Sequence, residues 1–299
     1  MNRIIQAVVT EQDAGRKLKY YVRGAMGVSY AQYASLKRAD GVLLNGRPAR
    51  ANDLLRAGDV VALTLSDHAH FAVPPDFSPV KIVYEDEDIL VIDKDAPLPC
   101  QMSEKQGGPT LENRLAGLYG PDFLFRPLNR LDKGTSGLLC AAKNAHACQI
   151  LQKQLHTGDF MREYLAVVCA SLEEEGTIDL PIAKIDGPSI RRVVDFQNGK
   201  KSVTHWRSLG VFGDYSLIRL SLETGRTHQI RVHMAATGHP VAGDFLYGTE
   251  LAALPGRFAL HSARLCVTHP MTGARVEVES PLPDALKALI SNCAKEKPE

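Results

Sequence analysis

Pro127-Leu128-Asn129-Arg130-Leu131-Asp132-Lys133-Gly134-Thr135-Ser136-Gly137-Leu138-Leu139 sets a charged, glycine-containing turn between two apolar runs. Arg130 and Asp132 are two residues apart, so in an extended segment both side chains point to one face. Gly134 and Gly137 allow tight backbone conformations. The pattern predicts a strand ending in a polar turn, then a second strand over 137–142. Such a turn holds an acid and a guanidinium at the mouth of a sheet. Spacing alone leaves two readings open. One is a structural Asp–Arg pair. The other is a chemical role for Asp132, because a carboxylate among guanidiniums stays ionised. That suits a nucleophile, a general base or an electrostatic stabiliser better than a general acid.

Working outward, 299 residues exceed one average domain, and 44% apolar content suffices for a large core. No apolar run approaches the roughly 20 residues that span a bilayer. The start, Met1-Asn2-Arg3-Ile4-Ile5-Gln6, has no signal-peptide core, so a cytoplasmic location is expected. None of the six cysteines forms a CxxC pair, which fits free buried thiols and no zinc site. The net charge of +1 hides an asymmetry. Residues 1–60 carry ten Lys/Arg against five Asp/Glu, a surplus of five that leaves the rest at −4. A basic module on a near-neutral body is an electrostatic footprint for a polyanion, or else a solvated basic surface.

Along the chain, 3–9 reads as a strand, 14–26 as a helix, and 30–39 as a second helix capped by Ser29. A hairpin follows around Asn45-Gly46, then a strand at 60–63. These make a small module over 1–66. Residues 67–79 contain three prolines and read as a semi-rigid linker; His68 and His70 within it are a weak metal candidate. From residue 80 the pattern is strand-rich: a hairpin through 82–94, strands at 160–169, 177–182, 202–209, 215–222, 258–267 and 274–279. Helices are expected at 113–118, 144–156, 227–237 and 284–294. The body, 80–299, is therefore α+β with a large mixed, mostly antiparallel sheet.

Polar clusters mark four places in the body: Arg130/Asp132, Arg162-Glu163-Tyr164, Lys200-Lys201, and Thr224-Gly225-Arg226-Thr227-His228-Gln229-Ile230-Arg231-Val232-His233. The last suggests anion binding or an ion-pair network. His228 and His233 stand five apart, not on one helix face, so hydrogen-bonded structural histidines fit better than a zinc pair. The chain has no P-loop, dinucleotide fingerprint or nucleophile elbow.

The segments RPLNRLDKGTSGLLCAAKN, MREYLAVV, LETGRTHQIRVHMAATGHPVAGDFLYG and ALHSARLCVTHPMTG together resemble the RluA-type pseudouridine synthases, over about residues 80–285 and in that family's motif order. Residues 12–66 resemble the S4 RNA-binding domain that many of those proteins carry ahead of the catalytic domain. The resemblance implies a bent sheet with a cleft across it, and no metal, nucleotide or redox cofactor. It implies that Asp132 is the catalytic aspartate, with Tyr164 packed on the target base and a candidate for the last deprotonation at C5. Arg231 would pair with the aspartate, and Arg130 would fill the space left by a flipped-out uridine. Asn129, Thr135, Arg226 and His228 fall at substrate-binding positions, and Arg16, Lys17, Lys37, Arg38 and Arg47 on the S4-like basic face. Gly134 and Gly137 would let the turn approach an RNA backbone.

Three departures concern specificity: Asn129 replaces a usual His, Arg162 a usual Lys, and Lys94-Asp95-Ala96-Pro97 the usual K-P-x-G loop. The expected partner is RNA, large-subunit rRNA before tRNA, for a monomeric enzyme. The rival readings are a catalytically silent RNA-binding or assembly protein of the same fold, and a glycosidase, which would need a second carboxylate.

Overall fold

The computed structural model describes residues 2–66, 73–102, 108–172, 174–187 and 189–295. The His68/His70 pair and residues 67–72 of the expected linker lie outside them. The N-terminal unit is a four-stranded antiparallel sheet, β1 (Asn2–Val8), β2 (Val42–Leu44), β3 (Arg47–Pro48) and β4 (Val60–Ser66), in the order β1-β4-β2-β3. Helices α1 (Leu18–Gly24) and α2 (Tyr30–Arg38) accompany it. Ser29 Oγ accepts the Gln32 amide and caps α2. Asn45 and Gly46 both take positive φ, as a tight two-residue hairpin turn needs. Leu18, Val22, Val61 and Leu63 form a core separate from that of the body.

The second sheet has ten strands: β5 (Ile82–Glu85), β6 (Ile89–Lys94), β7 (Arg126–Pro127), β8 (Ser136–Ala142), β9 (Met161–Cys169), β10 (Glu175–Asp179), β13 (Val203–Phe212), β14 (Tyr215–Leu222), β15 (Leu260–Thr268) and β16 (Arg275–Glu279). The main order is β10-β13-β14-β9-β15-β8-β6-β5, with β16 added on β15 and β7 on β8. Between β10 and β13 lies a small hairpin of β11 (Ile182–Lys184) and β12 (Arg192–Val194). Expected as one strand at 177–182, this region is two: Pro181 separates β10 from β11, and the latter turns to pair with β12.

Alternation along β6 and β8 explains the layers. Leu90, Ile92, Leu139 and Ala141 enter one apolar cluster; Ile89, Val91, Leu138, Cys140 and Ala142 enter the other. The first cluster takes Leu111 and Leu115 of α3 (Leu111–Tyr119), Ile230 and Met234 of α5 (Gln229–Ala236) and Leu286 of α6 (Asp284–Lys295). The second takes Ala147 and Leu151 of α4 (Ala145–Gln154). Each buried Leu, Ile, Val or Met side chain among these contributes roughly 1.5–3 kcal/mol relative to exposure. Residues 73–79 lie against α3, where Asn113 Nδ2 donates to the Pro74 carbonyl at 2.8 Å.

The N-terminal unit docks on the body through polar contacts. Arg3 pairs with Glu87 and Asp88, and Asp88 in turn accepts from Asn144, whose Oδ1 caps α4. Gln149 spans the junction, accepting the Ser29 amide and donating to the Gly27 carbonyl. No helix among the described residues is long and apolar enough to cross a membrane.

Among the described residues, the only parallel pairing in the large sheet joins β8 to β15, at Ser136–His261 and Gly137–Ser262. Gly137 has φ +103°, and a Cβ there would stand 2.2 Å from the Ser262 carbonyl oxygen. This internal contact by itself requires a glycine. Gly137→Ala is expected to destabilise the fold by about 1–3 kcal/mol or more, read from urea unfolding. A second expectation concerns pH. Burial lowers the pKa of His146, His233 and His261. The folded state then binds fewer protons than the unfolded chain below about pH 6.5. This contribution to stability is complete above that pH and is lost as pH falls through the depressed folded values. The urea midpoint should fall from pH 7 to pH 5, with a shallower fall in His261→Gln.

Candidate active site

The loop between β7 and β8 is fixed at several points. The Leu128 amide donates to the Cys140 carbonyl at 2.8 Å. Both ends of the Asn129 amide bond β8: Nδ2 to the Leu138 carbonyl at 3.3 Å, and Oδ1 from the Cys140 amide at 2.9 Å. Asn129 is 4% exposed and belongs to the scaffold; expected at a substrate-binding position, it is absent from the pocket lining because its side chain is used up on a strand edge. Leu131 is buried and shares two contacts with the Cys100 thiol. The Thr135 amide closes the turn on the Asp132 carbonyl at 3.1 Å. Gly134 has no room for a Cβ, which would lie 2.6 Å from the Phe258 ring. This glycine too serves an internal contact.

Behind the loop, Lys94 is fully buried at the end of β6. Its Nζ donates to the carbonyls of Asp95 and Leu98, at 2.8 and 2.7 Å. Burial pulls its pKa down to about 8. The Leu98 amide then donates to the Lys133 carbonyl at 2.9 Å. The unusual Lys94-Asp95-Ala96-Pro97 segment therefore supports the Asp132 turn from beneath, with a cis bond before Pro97.

Arg231, on α5, is 2% exposed and held by two carboxylates. Nη1 donates to Asp132 Oδ2 at 2.8 Å. Nε and Nη2 grip Asp244 at 2.6 and 2.8 Å, a two-point pairing of guanidinium and carboxylate. Asp244 is fully buried and also accepts the amides of Leu246 and Tyr247. The guanidinium lies over the Phe258 ring at 4.1 Å and near the Tyr247 ring at 5.0 Å. Burial opposes the charge on Arg231, but Asp244 and Asp132 outweigh it and raise its pKa above the ordinary value.

Asp132 opens on a pocket of about 60 Å³. Its polar wall is Arg130, Asp132, Thr135, Arg226, His228 and Arg231, and its apolar wall is Tyr164, Leu222, Ile230 and Leu260. Tyr164 lies in mid-sheet on β9, opposite Ser262 of β15 and Leu220 of β14. Burial raises the pKa of its hydroxyl, which keeps it a neutral phenol. The Arg226 guanidinium reaches the Lys201 carbonyl at 3.3 Å, and Arg162 lies beside Gly225 at the root of the same loop. Seven residues singled out in the sequence, Arg130, Asp132, Thr135, Tyr164, Arg226, His228 and Arg231, thus converge. His233 turns away to Thr204 and the Leu180 carbonyl. A larger trench of about 340 Å³ between Glu163, Trp206 and Arg219 contains none of them.

Arg16, Lys17, Lys37, Arg38 and Arg47 are all exposed on the N-terminal unit. Sequence reading missed Asp244, Tyr247, Phe258 and Gln229. Asp244 follows a glycine within a turn, the position where a carboxylate accepts the next backbone amides, and that was its available signal. Gln229 Nε2 bonds β13 while its Oε1 accepts from Thr224 and Arg226, so it anchors the loop leading to α5.

The sequence profile of the RNA pseudouridylate synthase family matches residues 88–236. An uncharacterized RNA pseudouridine synthase of Bacillus subtilis, YlyB, is 36% identical over 302 residues, covering 99% of each chain. The ribosomal large subunit pseudouridine synthase D of Xanthomonas campestris is 34% identical over 304 residues, with 96% of this chain and 91% of that one covered. The solved structure of human RNA Pseudouridylate Synthase Domain Containing 1 has a TM-score of 0.56 at 28% identity, covering 76% of this chain and 98% of that one. With likeness along nearly its whole length, and the same α+β fold around the Asp132 pocket, the chain belongs to the RNA pseudouridylate synthase family, isomerases that act on RNA.

Proposed function

We propose that this enzyme isomerises chosen uridines of large-subunit ribosomal RNA, with tRNA as the second candidate, and that Asp132 performs the central step. The observation that carries the reading is a partly exposed carboxylate at the pocket mouth, fixed by a buried guanidinium that is itself fixed by Asp244. The rRNA assignment is supported by the large-subunit synthases among its relatives.

In this reading a uridine leaves the RNA stack and enters the pocket, and Arg130, exposed at the rim, takes the vacated place. Asp132 acts on the sugar, by attack at C1′ or by removal of the 2′ proton. The N1–C1′ bond breaks and its electron pair leaves with the uracil. The detached ring turns over the Tyr164 side chain and rejoins through C5. The C5 proton is lost and N1 gains one, so reactant and product have the same atoms. Tyr164, neutral by burial, hands on the C5 proton through its hydroxyl. The exposed cations Arg16, Lys17, Lys37, Arg38 and Arg47 of the S4-like unit hold the RNA backbone.

The test is a map of pseudouridines in total RNA from cells lacking the gene, then restored with wild type or Asp132→Ala. Sites in large-subunit rRNA should vanish, return with wild type and stay absent with Asp132→Ala. An unchanged map would sink the assignment. A companion measurement separates chemistry from scaffold. Asp244→Ala leaves the buried Arg231 charge with one partner, and should cost about 3–5 kcal/mol in urea unfolding. Asp132→Ala, at a half-exposed position, should cost far less.

A further inference from the structure

His228 stands at the entrance to α5 with φ +60°, a left-handed conformation uncommon for a residue with a side chain. Its Nδ1 lies 2.8 Å from the Tyr247 hydroxyl oxygen. That same oxygen accepts the backbone N–H of Arg192, in β12, also at 2.8 Å. A tyrosine hydroxyl has one hydrogen of its own. With Arg192 donating to the oxygen, the hydroxyl's own hydrogen is available to point at His228. In that arrangement Nδ1 accepts and the proton of the neutral ring sits on Nε2. Nε2 lies on the pocket side, 3.8 Å from Asp132 Oδ2, a gap too long for a hydrogen bond.

We propose that Tyr247 and the Arg192 backbone lock His228 as a neutral Nε2–H donor for a carbonyl oxygen of the departing uracil. This rests on the pseudouridine synthase reading above. As N1–C1′ breaks, the electron pair goes to the ring and spreads from N1 to its carbonyl oxygens. A fixed donor stabilises that charge more than it stabilises the bound uridine. His228 gives up no proton in the step. Tyr247 touches no substrate and acts as a positioning residue, and the β11–β12 hairpin is part of the device through one backbone amide.

The groups facing the ring are Asp132 from the β7–β8 loop, Arg231 from α5, Asp244 and Tyr247 from the loop after α5, and Arg192 from β12. Burial disfavours the imidazolium, against the pull of Asp132, and lowers the His228 pKa. A donor directed at Nδ1 favours the neutral ring further, so loss of the Tyr247 hydroxyl should raise that pKa.

The experiment measures single-turnover pseudouridine formation on large-subunit rRNA transcripts against pH, with the full-length chain. His228→Ala should slow the step about 100-fold, with RNA affinity unchanged. His228→Asn, which keeps a neutral N–H donor, should recover at least part of it. Tyr247→Phe should raise the His228 pKa, followed by the ring ¹⁵N shifts against pH. The imidazole ¹⁵N shifts of the RNA-free protein give a readout independent of activity: Nε2–H in wild type, a tautomer mixture in Tyr247→Phe. A neutral ring protonated at Nδ1, or a His228 pKa that Tyr247→Phe leaves unchanged, overturns the proposal. Full activity of His228→Ala beside an inactive Asp132→Ala refutes the His228 role alone. A wild type that forms no pseudouridine on any rRNA refutes the parent reading, while the ¹⁵N shifts still decide the tautomer.

Discussion

The Arg231 guanidinium, buried between Asp132 and Asp244, is the constraint around which the site is built. Moving such a charge out of water costs several kcal/mol, recovered only if its donors are well paired. Three of its N–H groups meet carboxylate oxygens within 2.8 Å, and Phe258 covers its face. Asp244 spends both oxygens on the guanidinium and has two backbone amides besides. Asp132 is the exposed member of the trio, at 26% against 2% for Arg231 and 0% for Asp244, and Asp132 and Arg231 both line the pocket. One cation between two carboxylates leaves the trio a surplus negative charge. The arrangement therefore orients a partly exposed carboxylate by means of a buried cation that a fully buried carboxylate holds in turn.

Such a trio requires distant segments to meet with small error, and the sheet provides that. Asp132 comes from the loop before β8, Phe258 from the loop before β15, and β8 and β15 are adjacent. Their parallel contact is short and close, which is why residue 137 has no side chain. Gly134 gives way to the Phe258 ring, which carries Arg231 in turn. The two glycines in the opening stretch are thus explained by packing at the site's base.

Much of this was legible in the residues, and the reasons are physical. Periodicity and turn residues located most strands because β6, β8 and β9 are buried runs bounded by polar turns. The Asp132–Arg231 pair, 99 residues apart, had no signal in spacing; it was reached through resemblance of whole segments and now stands at 2.8 Å. Asn129 was reached as the residue standing where the resembled family usually has His, and only the structure shows its amide bonded to Leu138 and Cys140 of β8. The β11–β12 hairpin was missed because three-residue strands lack enough residues to show a period. His228 left its expected helix by one residue, and that single left-handed step separates its environment from that of His233.

The basic N-terminal unit poses a last question of charge economy. Its contact with the body uses Arg3 against Glu87 and Asp88, together with backbone groups at Gly27 and Ser29. Among the described residues, none of Arg16, Lys17, Lys37, Arg38 and Arg47 forms an ion pair with the body; Arg16 instead meets Asp13 of its own unit. Docking therefore leaves the positive surplus of residues 1–60 largely in solvent. Exposed cations on a docked unit repel one another, and their interaction is screened within about 8 Å at physiological salt. A polyanion relieves that repulsion and releases counterions as it binds. Fixing the unit through Arg3 and the backbone at Gly27 and Ser29, while sparing the other cations, keeps that basic surface open to a polyanion.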